Sequence, residues 1–409
     1  MVVVNTKVVI LLVDAQLQAT NFVMEFVRLE MVVPFAGFVM AGSQTINKKF
    51  NNFYKMIFQN SYLSVTLFLI ISFNLVCVKS LNAFQNSNSA YSVEEFLLAT
   101  PQEPGKRIIN GEIYYSSRVN LSEEFDLYNS YLLASDVNNI TILDRDAFVF
   151  RQFDYDLNHI NTFANEGRGP GEYTQPMDLL NKEGKYWIAD GRQTKIGKHS
   201  TDGTLINEIM PSFGVIPHRF NLLENNKSVI FSLAGQNAFH ILDENYNQTG
   251  SFLRLSGLNF QQKGFILDGY LATENDTIFY AGLRNGIIKA FTSEGEKIYS
   301  RNVISPLNLD LLDMNPSQIR SAPNGVLDLT IHNGKLYILF GGEQIDDDRW
   351  KYLDIYNSAN GTYLHTYLID TPTTKISITS KDNPLLISLG YDITTENNDR
   401  ILSVYSLPD

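Results

Sequence analysis

The sequence holds a single cysteine, Cys77, and none after it. No disulfide framework and no cysteine-based zinc site can form in the rest of the chain. A chain of 409 residues with 44% hydrophobic content buries enough core to do without disulfides, so their absence does not point to the cytosol. Charge is scarce at 19%, and it is unevenly signed. The first 83 residues carry six Lys/Arg against three Asp/Glu, so the whole-chain −12 leaves −15 on residues 84–409. A surface of that sign repels a phosphate backbone, which excludes nucleic acid and anionic membrane surfaces as partners. Also missing are a GxxxxGK[ST] loop, a GxGxxG loop, an HExxH pair, a nucleophile elbow and the kinase set. Long stretches of 3.6-residue periodicity are absent too, and an α/β fold loses its support with them.

Aromatic residues are plentiful, with 26 Phe and 21 Tyr, and they suit packed sheets. The longest uncharged apolar run is residues 62–78, YLSVTLFLIISFNLVCV. Lys48, Lys49 and Lys55 precede it and a polar stretch follows from Gln85, which is the order of a secretory signal. Ala83 supplies a small residue for cleavage, and the run also meets the lower length of a spanning helix. Residues 56–84 therefore read as a signal peptide or a membrane anchor, the only route to a membrane. Residues 1–55 read as an extension without a fold, since Asp14, Glu25, Arg28 and Glu30 interrupt its apolar pieces. Met40 or Met56 would give the signal a more ordinary start. Residues 85–106 read as a linker.

From residue 107 to 409 short apolar runs recur. ITILD ending at Asp144, YWIAD at Asp190, VIFSL at Leu233, TIFYA at Ala281, LYILF at Phe340 and LLISL at Leu389 can be superposed, at intervals of 46, 43, 48, 59 and 49 residues. Repeats of that length with several strands each predict an all-β fold, a six-bladed β-propeller of four-stranded antiparallel blades. Labelled a to d outward from the axis, the aligned run is strand b. MDLL (177–180), RFNLL (219–223), VLDLTI (326–331) and KISIT (375–379) are strands a. STDG (200–203), SEG (293–295) and SANG (358–361) are hairpin turns whose Gly takes positive φ. The last unit ends at SVYSLPD without a strand d. The unused RIINGEIYYSS, residues 107–117, is predicted to pair there and close the ring.

In such blades the b–c loops and the d-to-a crossovers share one rim, where a rigid scaffold can present binding groups. Two b–c segments are enlarged and acidic, GGEQIDDDR (341–349) and GYDITTENNDR (390–400). Asp346, Asp347 and Asp348 invite comparison with a weak calcium site, although the D-x-[DN]-x-[DN]-G spacing is absent; no other cofactor is expected. The first crossover, EGRGPGEYTQP (166–176), combines Gly167, Gly169, Pro170 and Gly171 in a tight turn. Arg168, Glu172 and Tyr173 flank it. Arg168 and Glu172 either grip a carboxylate or sugar hydroxyls, or lock the crossover through a neighbouring acid and backbone N–H groups. Asp144 and Asp190 end strands b and are placed to cap the following turns. His218 opens strand a of the third unit, while the other histidines, 159, 199, 240, 332 and 365, are scattered. Trp350 is either a core residue or a sugar platform. The strand-a starts read as Met177, His218, Lys263 and Lys375, which assemble no metal ring.

The GRGPGEY stretch, with its following proline and the strand ending in Asp190, resembles a six-bladed propeller family common in Bacteroidetes-type bacteria and related to NHL-repeat propellers. The resemblance spans residues 107–409 and is most specific in the first two units. It implies the fold and export to the periplasm, cell surface or medium, and it carries no common activity. The expected function is a non-catalytic extracytoplasmic module that binds protein, peptide, glycan or a small ligand on the b–c rim. Two alternatives stand beside it: a metal-dependent hydrolase or lyase with its site in the central channel, and a structural part of an envelope assembly.

Overall fold

The computed structural model describes residues 90–407, apart from 104, 212–214, 225, 256–257, 259, 308, 343–349 and 380–382. The signal-like run 62–78 and the acidic loop with Asp346, Asp347 and Asp348 lie outside the described residues. So do residues 1–55, read as the extension. Among the described residues, no helix is long and apolar enough to cross a membrane.

Six antiparallel sheets form the blades of a propeller. Blade 1 is Leu133–Ser135, Ile140–Asp144, Val149–Phe153 and His159–Phe163, and blade 2 is Pro176–Lys182, Lys185–Asp190, Lys195–Ser200 and Leu205–Ile209. Blade 3 is Arg219–Leu222, Ser228–Phe231, Asn237–Leu242 and Gln248–Leu255. Blade 4 is Gly269–Glu274, Thr277–Gly282, Ile287–Thr292 and Lys297–Asn302. Blade 5 is Val326–His332, Lys335–Phe340, Tyr352–Asn357 and Tyr363–Ile369, and blade 6 begins with Thr373–Ile378, Leu385–Asp392 and Asp399–Ser406. The first strands of successive blades touch in cyclic order, the sixth meeting the first.

Alternation explains why this sequence stacks sheets. Each strand b is buried on both faces, and odd and even positions feed different cores. Tyr186 and Ile188 join the cluster between blades 1 and 2, whereas Trp187 and Ala189 join the one between blades 2 and 3. Leu336 and Ile338 face blade 4, while Tyr337 and Leu339 face blade 6. The c–d turns repeat one device. Gly203, Gly295 and Gly361 have φ of +82°, +88° and +69°, and each lies over an aromatic residue of the preceding blade. A Cβ there would fall 2.4 Å from Phe163, 2.6 Å from Phe252 and 2.4 Å from Tyr299 respectively. Both the backbone and the neighbour demand glycine.

The last blade is closed by an N-terminal strand, as the sequence predicts, but by a different segment from the one expected. The strand that completes blade 6 is Ser117–Asn120, antiparallel to the last strand with Ile401 opposite Asn120 and Val404 opposite Ser117. Most of 107–117 lies elsewhere, because Ile109–Ile113 runs parallel to Tyr363–Ile369 as a fifth strand of blade 5. Arg400 secures the joint. Fully buried, it donates to the Ser130 hydroxyl (3.0 Å) and carbonyl and to Thr374 Oγ1 (3.0 Å), and its guanidinium lies 4.3 Å from the Tyr391 ring centroid. Burial lowers its pKa to about 10.

Residues 85–106, read as a linker, are packed structure where they are described. The segment forms a strap across the outside of the ring. Ala90–Tyr91 adds in parallel to blade 3. The helix Val93–Leu97, closed by a Ser92–Glu95 capping box, buries Phe96 between blades 3 and 4. Thr100 exchanges backbone hydrogen bonds of 3.0 Å with Ser300 and Asn302 of blade 4. Gln102 donates to Asn302 O and Gly361 O and accepts from Tyr363 N, joining blades 4 and 5. Arg107 then lies over Phe340 (3.9 Å) and Tyr352 (4.7 Å) and forks onto buried Asp354 with two 2.9 Å bonds. Parallel addition covers the strand edges of blades 3, 4 and 5, which would otherwise be open to association.

Two outcomes are expected. Arg107→Ala leaves the Asp354 carboxylate buried and unpaired, at a cost of about 3–5 kcal/mol read from the urea midpoint. Lys289, buried beside Phe96 with Ser300 Oγ (2.8 Å) as its one hydrogen-bond partner among the described residues, has its pKa lowered by burial to about 8. A depressed lysine costs stability in full below pH 8, and that cost vanishes as pH rises toward 10.5. Lys289→Met should therefore be more stable at neutral pH, by up to about 3 kcal/mol, and lose this part of the alkaline rise; urea titrations of both proteins across that range check it.

Candidate functional site

The crossover carrying GRGPGEY is a clamp turned inward. Glu172 Oε2 accepts from Gly169 N at 2.7 Å, and a Cβ on Gly167 would fall 2.0 Å from the same oxygen. Gly171, at φ +74°, follows exposed Pro170, and its N–H donates to Glu208 (3.0 Å). Glu208 also takes the buried Lys195 ammonium at 2.6 Å, and Lys195 in turn donates to Gly169 O. Tyr173, a ligand candidate from sequence, is fully buried and cannot meet one. Its hydroxyl lies 2.6 Å from His199 Nε2. His199 Nδ1–H donates to Gly203 O (2.9 Å), so Nε2 accepts and the Tyr173 hydroxyl donates. Burial lowers the His199 pKa, which keeps this neutral tautomer. Gly197 makes room for the ring, since a Cβ there would be 1.8 Å from the hydroxyl.

Asp190 Oδ2 accepts from the N–H groups of Thr174 (2.6 Å) and Gln175 (2.9 Å), and Oδ1 from Gln193 (2.7 Å). Asp144 accepts from Ala147 N (3.2 Å) and pairs with Arg151 at 2.6 Å. Trp350, at φ +66°, packs on the core between blades 5 and 6, with Tyr391 6.2 Å away. Arg168 is exposed and makes no hydrogen bond or ion pair among the described residues. Lys263 does not begin a strand a; it lies on the helix Phe260–Leu267, within the blade 3-to-4 crossover. The enlarged segment 390–400 is a longer hairpin, strand b reaching Asp392 and strand c beginning at Asp399. The 59-residue interval comes from the blade 4-to-5 crossover, which contains the helix Pro316–Ser321. The two helices touch each other on the b–c rim.

Beneath that rim the first strands deliver one polar residue each at matching positions: Asp178, Arg219, Tyr270, Asp328 and Lys375 from blades 2 to 6. Sequence reasoning named only Lys375 of these. They converge on the channel. Lys375 Nζ lies 4.1 Å and Arg219 Cζ 5.2 Å from the Tyr270 ring centroid, a cation–π arrangement that draws blades 3, 4 and 6 together. Asp178 accepts from Phe220 N of the next blade (2.8 Å), and Asp328 accepts from Ile376 N (2.9 Å) as well as from Lys375 (3.4 Å). Asp268 stands 3.8 Å from Arg219 Nη2. Burial pushes the Asp178 carboxyl above its usual range, against the pull of Arg219. Burial alone would lower the Arg219 pKa, but Asp178, Asp268 and Asp328 hold it above its ordinary value. His218 adjoins this group; burial, and then Arg219, lower its pKa, and its Nδ1 accepts from Leu233 N at 3.1 Å. Among the described residues, no three His, Cys, Asp or Glu are grouped to hold a metal.

No protein-family model and no curated sequence matches the chain. Solved structures similar to it include an exported-protein structure from Bacteroides fragilis, at 14% identity and TM-score 0.49 over 74% of this chain and all of that one. Virginiamycin B lyase from Staphylococcus aureus is similar at 15% identity and TM-score 0.42, covering 72% of this chain and 88% of the lyase. A luciferin-regenerating enzyme matches at 10% identity and TM-score 0.45, over 71% of this chain and 95% of its own.

The clamp has a measurable signature. Tyr173→Phe leaves His199 Nε2 buried without a donor and should cost about 1–2 kcal/mol in chemical unfolding. Because the folded His199 pKa lies below 6.5, its contribution is present above pH 6.5 and is lost as pH falls toward the folded value. Stability measured down an acid series should therefore fall less steeply in His199→Asn than in the parent.

Proposed function

We propose that the propeller is an extracytoplasmic binding module that seats a small ligand, or one end of a larger one, at the mouth of the central channel on the b–c rim. The supporting observation is the convergence of Asp178, Arg219, Tyr270, Asp328 and Lys375, one from each of five consecutive first strands. Such positions are rigid, because each strand is hydrogen-bonded within its blade and clasped to the next. Preorganised polar groups around an aromatic ring are what a polar ligand requires. The helices in the two neighbouring crossovers give that mouth a raised wall.

Export rests on the signal-like run 62–78 and the resemblance carried by GRGPGEY. A metal-dependent hydrolase or lyase in the channel would need a ligand set, and no such group of residues supports that reading among those described.

A ligand screen on the full chain, with peptides, oligosaccharides and small acids followed by ligand-observed NMR, tests the reading. Ligands found should lose their saturable signal with Tyr270→Ala and keep it with Arg168→Ala. The reverse pattern would move the site to the GRGPGEY crossover.

A further inference from the structure

We infer that the group recognised at the channel mouth is a single carboxylate, held by Arg219, Arg284 and Lys375; this rests on the binding reading above. The reasoning follows hydrogen-bond capacity. Two of the three local acids are already engaged by the scaffold, since Asp178 and Asp328 each accept a backbone N–H from the adjacent blade. The cations are not engaged to the same degree. Lys375 has one acceptor, Asp328 at 3.4 Å. Arg219 Nη1 donates to His218 O and Met177 O, but its Nη2 stands 3.8 Å from Asp268, beyond hydrogen-bond distance. Arg284, in the b–c loop of blade 4, has a buried Nε–H with no acceptor among the described residues, and both Asp268 and Tyr270 act on its charge.

The three acids keep lone pairs to spare, but none of them stands within hydrogen-bond distance of Arg219 Nη2 or Arg284 Nε among the described residues, so these donors are left open toward the mouth. Arg219 and Lys375 over the Tyr270 ring, with Arg284 beside them over Phe265, call for a planar oxyanion. The charge of −15 on residues 84–409 selects among oxyanions. A dianionic phosphate pays repulsion twice over, whereas a monoanion pays it once and gains the same local donors.

Titration of the full chain with N-acetylalanine and glucuronate, each against its uncharged counterpart (N-acetylalaninamide and glucose), tests the inference by NMR or calorimetry. At least one acid should bind ten times more tightly than its counterpart, and which of the two does so identifies the ligand body. Arg284→Gln, in a loop, should weaken that binding about tenfold with unchanged thermal unfolding, and Lys375→Met should weaken it comparably while also lowering the unfolding midpoint, because Lys375 links blade 6 to Asp328 and Tyr270. Equal binding of acid and neutral probe, no saturable binding of either acid, or tighter binding of inorganic phosphate overturns the carboxylate. If Tyr270→Ala still abolishes binding of a neutral probe, the channel-mouth reading survives that failure; if it changes nothing, both fall.

Discussion

The ring depends on four residues, Ser117–Asn120, lying antiparallel to Ile401–Val404. In every other blade the four antiparallel strands are consecutive in sequence, with the parallel fifth strands of blades 3 and 5 added at the outer edge. Blade 6 alone must draw one of its four antiparallel strands from the far end of the chain, almost three hundred residues away. The entropic cost of such a closure grows only logarithmically with length, but a four-residue strand provides few hydrogen bonds against it. The strap supplies the remainder. Before reaching blade 6 the chain has been fixed to blades 3, 4 and 5 in turn, by Phe96, Thr100, Gln102 and the Arg107–Asp354 fork. Closure is then a local event, since the closing strand starts only a few residues from one already seated at Ile113.

The first strands serve two ends at once. Asp178 and Asp328 bind the backbone of the next blade, so they hold the ring together while setting the electrostatics of its centre. Lys375 and Arg219 reach the same Tyr270 ring from blades 6 and 3. A change in blade spacing would therefore be felt at the channel mouth, and a group bound there would be felt by the blades. In the proposed site, binding groups and axle are the same residues, which would tie recognition to the stability of the fold rather than to a mobile loop.

The six strands b were legible in the sequence because burial on both faces leaves unbroken apolar runs, each followed by a turn. The glycine turns were legible because positive φ over an aromatic ring leaves glycine little competition. The channel residues were not, for a physical reason. In blades 2, 5 and 6 the register slips between Pro176 and Asp178, Val326 and Asp328, and Thr373 and Lys375. A bulge resets the alternation, so counting by twos from the apolar residues does not tell which side chain faces the axis. The residues also differ in kind, and superposing the repeats reveals a shared position but no shared letter. The closing strand escaped for another reason. SRVN is short and polar, whereas RIINGEI reads more clearly as a strand and serves as a fifth one. The capping box around SVEEF was the available sign that residues 85–106 carry structure.

GRGPGEY shows how a recognisable motif and a binding site part company. Gly167 and Gly169 leave the space that the Glu172 carboxylate fills, Gly171 takes φ +74°, and the segment's polar groups end on one another and on Glu208, Lys195 and His199 of blade 2. Such a segment is constrained at almost every atom, so its sequence is distinctive whatever the protein binds. Arg168, exposed at its tip, is the part least constrained by the clamp. On the proposed reading, ligand choice belongs to positions where the scaffold asks only for a strand residue that clears its neighbours, and Asp, Arg, Tyr and Lys satisfy that equally well. The axis of a propeller offers six such positions on one rigid frame. Five of them here carry polar or charged groups within reach of one another, and that is where chemistry can vary without disturbing the blades.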